Sequence, residues 1–98
     1  MKLTNDIKLK GISMHEFSVV ENLIKILKKV IKENNAKKVL KVNLKINPFS
    51  CLDQENLNFI FSSIVKNNDF LENTKIIIKR GKDPLSREYI VENVEIEI

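Results

Sequence analysis

From Phe17 onward the apolar residues Phe17, Val20, Leu23, Ile24, Leu27, Val30 and Ile31 recur at three- and four-residue steps, while Lys25, Lys28, Lys29 and Lys32 fall on the other side. That period predicts an amphipathic helix with one core-facing stripe. Two S-x-x-E capping patterns compete for its start, Ser13 with Glu16 and Ser18 with Glu21. A Ser13 cap puts His15 in the first helical turn, whereas a Ser18 cap leaves it on an extended lead-in. Asn34 and Asn35 tolerate a left-handed backbone and are expected to stop the helix.

The pattern then changes to a period of two. Leu40, Val42, Leu44 and Ile46 alternate with Lys41, Asn43 and Lys45, which predicts a strand with one buried face. A loop follows at "NPFSCLD", because Pro48 is unsuited to a sheet interior. Asp53 is a good N-cap for a second helix, with Leu57, Ile60, Phe61 and Ile64 on its inner face and an end near Lys66. Thr74 to Arg80 reads as a short strand, and "GKDP" is the strongest turn signal in the chain. In the last segment Tyr89 and Val91 share a parity that Val94, Ile96 and Ile98 break. A one-residue slip would turn half of these side chains into water, so a β-bulge near Glu92 and Asn93 is expected.

The order helix, strand, helix, strand, strand predicts an α+β fold. Two helices cover one face of a three-stranded sheet, mostly antiparallel or mixed. Ile7 to Leu9, flanked by lysines, is a candidate fourth strand at the edge. At 98 residues with 43% hydrophobic residues the chain supports one core and one domain. Seventeen Lys and Arg against 13 Asp and Glu give a formal charge of +4, a mild excess that a lysine-rich soluble domain reaches without a nucleic-acid role. No apolar run approaches the ~20 residues that span a bilayer, and the N-terminus lacks a secretory apolar stretch, so a cytoplasmic location is expected.

Enzymatic signals are missing. The sequence has no glycine-rich phosphate loop, no nucleophile elbow and no Cys and His pair at a motif spacing. Cys51 is the single cysteine, which excludes an internal disulfide and any cysteine-based zinc site within the chain; a small buried hydrophobe is the expected role. The carboxylates of "ENVEIE", Glu92, Glu95 and Glu97, are expected on a solvent face. On chemistry alone the sole histidine, His15, reads as structural or merely exposed.

Its neighbours change that reading. "MHEFSVVENLIK" resembles the opening of HypA, the nickel metallochaperone family of [NiFe]-hydrogenase maturation, with Met14, His15, Glu16, Phe17 and Ser18 in the family's positions. "AKKVLKVNLKI" is similar to the family's first strand and "LDQENLNFIF" to its second helix. "REYIVENVEIE" resembles its closing pattern through Glu88, Tyr89, Val91, Val94, Glu95, Ile96 and Glu97. The resemblance covers Met14 to Ile98 and implies a HypA-like nickel-binding domain over 14–98, preceded by an extension over 1–13. It implies Met14, His15 and Glu16 as nickel positions, Glu16 and Ser18 as partner contacts, a non-enzymatic role, and the HypB GTPase and a hydrogenase large subunit as partners. Ni(II) favours a tetragonal nitrogen field, which an amine, an imidazole and intervening amides can supply.

Three departures qualify the carry-over. Thirteen residues precede Met14, so its nitrogen is an amide that must lose a far less acidic proton than an α-amino group before it can ligate, and weaker nickel binding is expected. The family's zinc domain, with two Cys-x-x-C pairs, is replaced by the short turn Arg80 to Ser86, expected to close the flanking strands as a hairpin and to leave no zinc site. Asn47 and Pro48 stand where the family's first strand commonly ends in Gly-Glu. Two alternatives follow. One is a degenerate relative that keeps the fold for protein interaction or self-association without metal, which apolar surface exposed on Ile7, Leu9 and Ile12, or pairing of that arm with a neighbouring sheet, would favour. The other is a small basic RNA-binding domain resting on charge alone.

Overall fold

A computed structural model describes residues 14–98. The extension over 1–13, with the candidate Ile7 to Leu9 strand and the Ser13 cap, lies outside the described residues. The elements run α1 (Met14–Asn34), β1 (Lys38–Ile46), α2 (Gln54–Val65), β2 (Lys75–Arg80) and β3 (Tyr89–Glu97). This is the expected α+β order.

Helix α1 begins at Met14, so His15 lies in its first turn and Ser18 is inside the helix, its hydroxyl donating to the Met14 carbonyl at 3.2 Å. Ser18 therefore does not cap. The helix stops as expected: Asn35 takes φ 52, and the Ala36 N–H reaches back to the Ile31 carbonyl at 3.1 Å. That is the Schellman closure, in which a left-handed residue lets the next amide satisfy a terminal carbonyl. Asp53 caps α2, its carboxylate accepting from the Asn56 N–H at 2.9 Å.

The sheet order is β2-β1-β3, with β2 parallel and β3 antiparallel to the central β1. Both helices lie on one face, where Val19, Val20, Leu23 and Leu27 of α1 and Leu57, Ile60, Phe61 and Val65 of α2 meet Val39, Val42, Leu44, Ile46 and Ile76 of the sheet. Ile64, expected inside, is 45% exposed, and Val65 takes the inner position at the helix end.

The antiparallel pairing carries two irregularities. Asn43 faces Asn93 while Leu44 faces Val91, so Glu92 is an extra residue on β3, the bulge expected from the parity break. The second was not expected: Val39 faces Ile96 while Lys41 faces Glu95, which makes Leu40 the extra residue on β1. As a result Leu40 turns outward, 45% exposed, and Val39 enters the core in its place. A bulge shifts the side-chain alternation by one residue, which is why strict alternation misplaced Leu40. Ile98, expected to continue the inner parity of β3, lies beyond the strand and is exposed.

The expected hairpin between β2 and β3 does not form, because the two strands flank β1 on opposite sides. The connection over residues 81–88 instead crosses the C-terminal end of β1, with the Gly81 N–H donating to the Ile46 carbonyl at 2.7 Å and the Asn47 N–H to the Glu88 carbonyl at 2.8 Å. Turn composition alone cannot tell a hairpin from such a crossing, since both need a tight reversal.

Strand β2 has an outer edge, and α2 covers it with side chains. The Asn58 side chain accepts from the Ile76 N–H and donates to the Ile76 carbonyl, each at 2.8 Å, and Gln54 Oε1 accepts from the Ile78 N–H at 2.8 Å. An apolar edge strand with unpaired backbone groups is a template for aggregation, and these amides occupy it. Asn58→Ala leaves both Ile76 groups without their partner, and urea denaturation should report a loss of about 1–3 kcal/mol. A change within error would mean that water replaces Asn58 at no cost.

Candidate metal centre

The region around His15 is assembled at the C-terminal end of β1. Asn47, the first residue past the strand, organises it. Its side-chain amide donates to the carbonyls of Pro84 at 3.1 Å and Ser86 at 2.8 Å, holding the crossing connection. Its side-chain oxygen accepts from the Phe49 N–H at 2.8 Å, an Asx turn that starts the loop toward α2. Arg80, at the end of β2, donates through Nη1 to the carbonyls of Asn47, Pro48 and Ser50 at 3.3, 2.9 and 3.0 Å. One guanidinium thus gathers three carbonyls of a single loop. Asn47 and Pro48 therefore form an ordered turn in this chain.

Glu88 is fixed against this loop. Besides the backbone bond from Asn47, its Oε2 accepts from the Ser50 hydroxyl at 3.4 Å, while the same hydroxyl oxygen accepts from the Leu52 N–H at 3.1 Å. The other carboxylate oxygen, Oε1, lies 2.5 Å from His15 Nε2. One helical face further along α1, Asn22 donates to the Tyr89 hydroxyl at 2.8 Å, so helix and strand are joined by consecutive residues of β3's entry. The side chains of His15 and Glu88 are 58% and 37% exposed, which leaves the pair open to solvent on one side.

The three residues expected to hold nickel are not gathered into one cluster of side chains. Met14 lies on the surface, 78% exposed, beside His15. Glu16 points inward and is 3% exposed, its carboxylate accepting from the Asp53 N–H at 3.0 Å and from the Asn56 side-chain amide at 3.2 Å. Negative charge beside the first turn of α2 is favourable there because the amides of a helix N-terminus point at it. Among the described residues no group of three or more His, Cys, Asp or Glu side chains converges as a ready metal cage. What the first turn of α1 does offer is backbone nitrogen: Met14 and His15 are its first two described residues, and no described carbonyl lies one turn before them to accept from their N–H groups.

Ser18 is exposed on α1, and Cys51, expected to be buried, is an exposed free thiol in the loop before α2. Burial propensity failed there because Arg80 and Asn47 hold the loop out over the sheet end. The sequence reading missed Asn47, Arg80 and Ser50 as organisers and treated Glu88 only as part of a pattern. The available signals were an asparagine before Pro48 at a strand end and a glutamate immediately before the strand that returns to β1.

Because Glu16 joins α1 to the start of α2 through charge-assisted hydrogen bonds, Glu16→Ala should destabilise the fold by about 2 kcal/mol in chemical denaturation. Glu16→Gln, which keeps an acceptor, should cost less, and an equal cost for both would show that the negative charge is what matters.

A family model described as "Hydrogenase/urease nickel incorporation, metallochaperone, hypA" matches residues 14–85. The hydrogenase maturation factor HypA of Francisella philomiragia is 42% identical over 65 residues, 66% of this chain and 56% of the relative. That of Actinobacillus succinogenes is 32% identical over 63 residues, 64% of this chain and 55% of the relative. The chain thus spans about half the length of the curated relatives it matches. The solution structure of the Ni metallochaperone HypA from Helicobacter pylori aligns with a TM-score of 0.59 at 21% identity, covering 83% of this chain and 85% of that one. A second HypA solution structure aligns at 0.57 and 21% identity, over 86% and 92% of the two chains. At that identity the structures establish the shared fold.

Proposed function

This chain belongs to the HypA family, and from that premise we propose that it is a nickel carrier serving [NiFe]-hydrogenase maturation, a delivery protein rather than a catalyst. The observation that carries the proposal is the family match beginning at Met14, the residue that opens α1 and places His15 on the surface in its first turn.

Nickel is the cargo. His15 supplies an imidazole nitrogen, and the backbone nitrogens of Met14, His15 and Glu16 supply the nitrogen field that Ni(II) favours. The inward course of the Glu16 carboxylate supports a backbone contribution from that residue rather than a side-chain one. Residues 14–98 act as the nickel-binding domain, with the short connection at 80–86 in the place of the family's zinc domain, and no zinc is carried.

Delivery requires a partner, by family resemblance the HypB GTPase and the large subunit of the hydrogenase. Exposed Met14, Phe49 and Leu85 lie at the same end of the molecule as His15 and offer apolar contact there. They suit a protein surface that meets the cargo directly, with Ser18 on the adjoining turn of α1.

Nickel(II) titration followed by absorbance tests this on three proteins: the full chain, its His15→Ala variant and a version beginning at Met14. Binding that depends on His15 is expected, tighter in the version whose Met14 nitrogen is an amine. Absence of any His15-dependent binding in both lengths overturns the nickel role and leaves a metal-free interaction module.

A further inference from the structure

Among the described residues, the side chain hydrogen-bonded to the imidazole of His15 comes from the other end of the sequence. Glu88 Oε1 lies 2.5 Å from His15 Nε2, and a carboxylate is an acceptor, so the proton of that hydrogen bond resides on Nε2. In the neutral ring the lone pair then belongs to Nδ1. Nδ1 is the nitrogen nearest the backbone of its own residue. A metal held between it and the His15 main-chain nitrogen closes a six-membered ring through Cα, Cβ and Cγ, whereas Nε2 points away from that nitrogen. The contact therefore occupies the nitrogen that cannot chelate with the backbone and leaves the one that can.

We infer that Glu88 is a positioning residue for nickel capture. It accepts the Nε2 proton of His15, fixes the ring orientation and tautomer, and presents Nδ1 to a metal gripped by the first-turn backbone of α1. The inference rests on His15 being a nickel ligand. Carboxylate partners of this kind hold metal-binding histidines and raise their basicity. Here Glu88 is itself held, at its side chain, its backbone and its neighbouring residue. The Glu88 carbonyl accepts from the Asn47 N–H, Oε2 accepts from Ser50, and the next residue, Tyr89, is tied to α1 through Asn22. The carboxylate is thus oriented by the loop and the strand, independently of the histidine. An exposed side-chain pair by itself contributes little to stability, so these contacts point to placement of the ring rather than to support of the fold.

The full chain is titrated with nickel(II) sulfate beside its Glu88→Ala, Glu88→Gln and His15→Ala variants, and the bound nickel is examined by X-ray absorption. Glu88→Ala should weaken binding by about 10–100-fold. Glu88→Gln, whose amide oxygen still accepts, should recover part of that loss, and the parent and both Glu88 variants should show the same number of nickel ligands. In the metal-free full chain, 15N-labelled His15 should give a hydrogen-bonded Nε2–H signal at low temperature that Glu88→Ala abolishes. Circular dichroism of the variants should match that of the parent. Unchanged affinity in Glu88→Ala overturns the inference, as does the loss of one oxygen ligand in that variant, which would make the carboxylate a ligand in its own right. Unchanged affinity in His15→Ala overturns the nickel role itself, a result separable from both.

Discussion

Everything in this fold hangs on β1, which is paired on both sides and faces both helices. A strand in that position must keep Val39, Val42, Leu44 and Ile46 under α1 and α2 while registering with a parallel neighbour on one edge and an antiparallel one on the other. The three demands are met only because the side-chain period is broken twice. Leu40 is the surplus residue on β1 and Glu92 the surplus residue on β3, so each strand brings its apolar residues back to the same face after one slip. At the start of β1, where β2 has not yet begun, the backbone of Val39 is satisfied by the loop instead, its N–H by the Phe70 carbonyl and its carbonyl by the buried Thr74 hydroxyl. A buried backbone group left unpaired would cost more than the bulge does.

The same constraint places the chemistry. With β2 and β3 on opposite flanks, the connection between them has to pass the end of β1, and it passes over Asn47. That residue and Arg80 together bind the crossing connection and the loop toward α2 into one layer. Glu16 then joins the first turn of α1 to the first turn of α2. His15 is set on a platform assembled from four segments, though it belongs to a single helical turn.

Sequence periodicity revealed the elements and their order because each carries an unbroken run of one period, as in α1 and the second half of β1. It also revealed the bulge at Glu92, where two apolar runs of opposite parity abut. The bulge at Leu40 was hidden, since Val39 and Leu40 are both apolar and either can be assigned to the core. Ile64 and Val65 posed the same ambiguity at the end of α2. The crossing connection was hidden for a different reason: which edge a strand joins is decided by tertiary pairing, and the Lys75 to Arg80 run would suit either side of β1. At the candidate site, His15 was singled out through its neighbours. Its carboxylate partner was not, because pairing across the fold leaves no local signature.

His15 and Glu88 are 73 positions apart in the chain. Closing so long a loop carries an entropic cost that only the assembled sheet can offset. The contact is therefore a reporter of complete assembly: a polypeptide that ends before Glu88 has the same histidine but not the carboxylate that meets it. Synthesis runs from the first residue toward the last, so the nascent protein exposes its imidazole long before the carboxylate has been made. The pairing thus has a time dimension, with the carboxylate reaching the imidazole only as the final strand closes on β1.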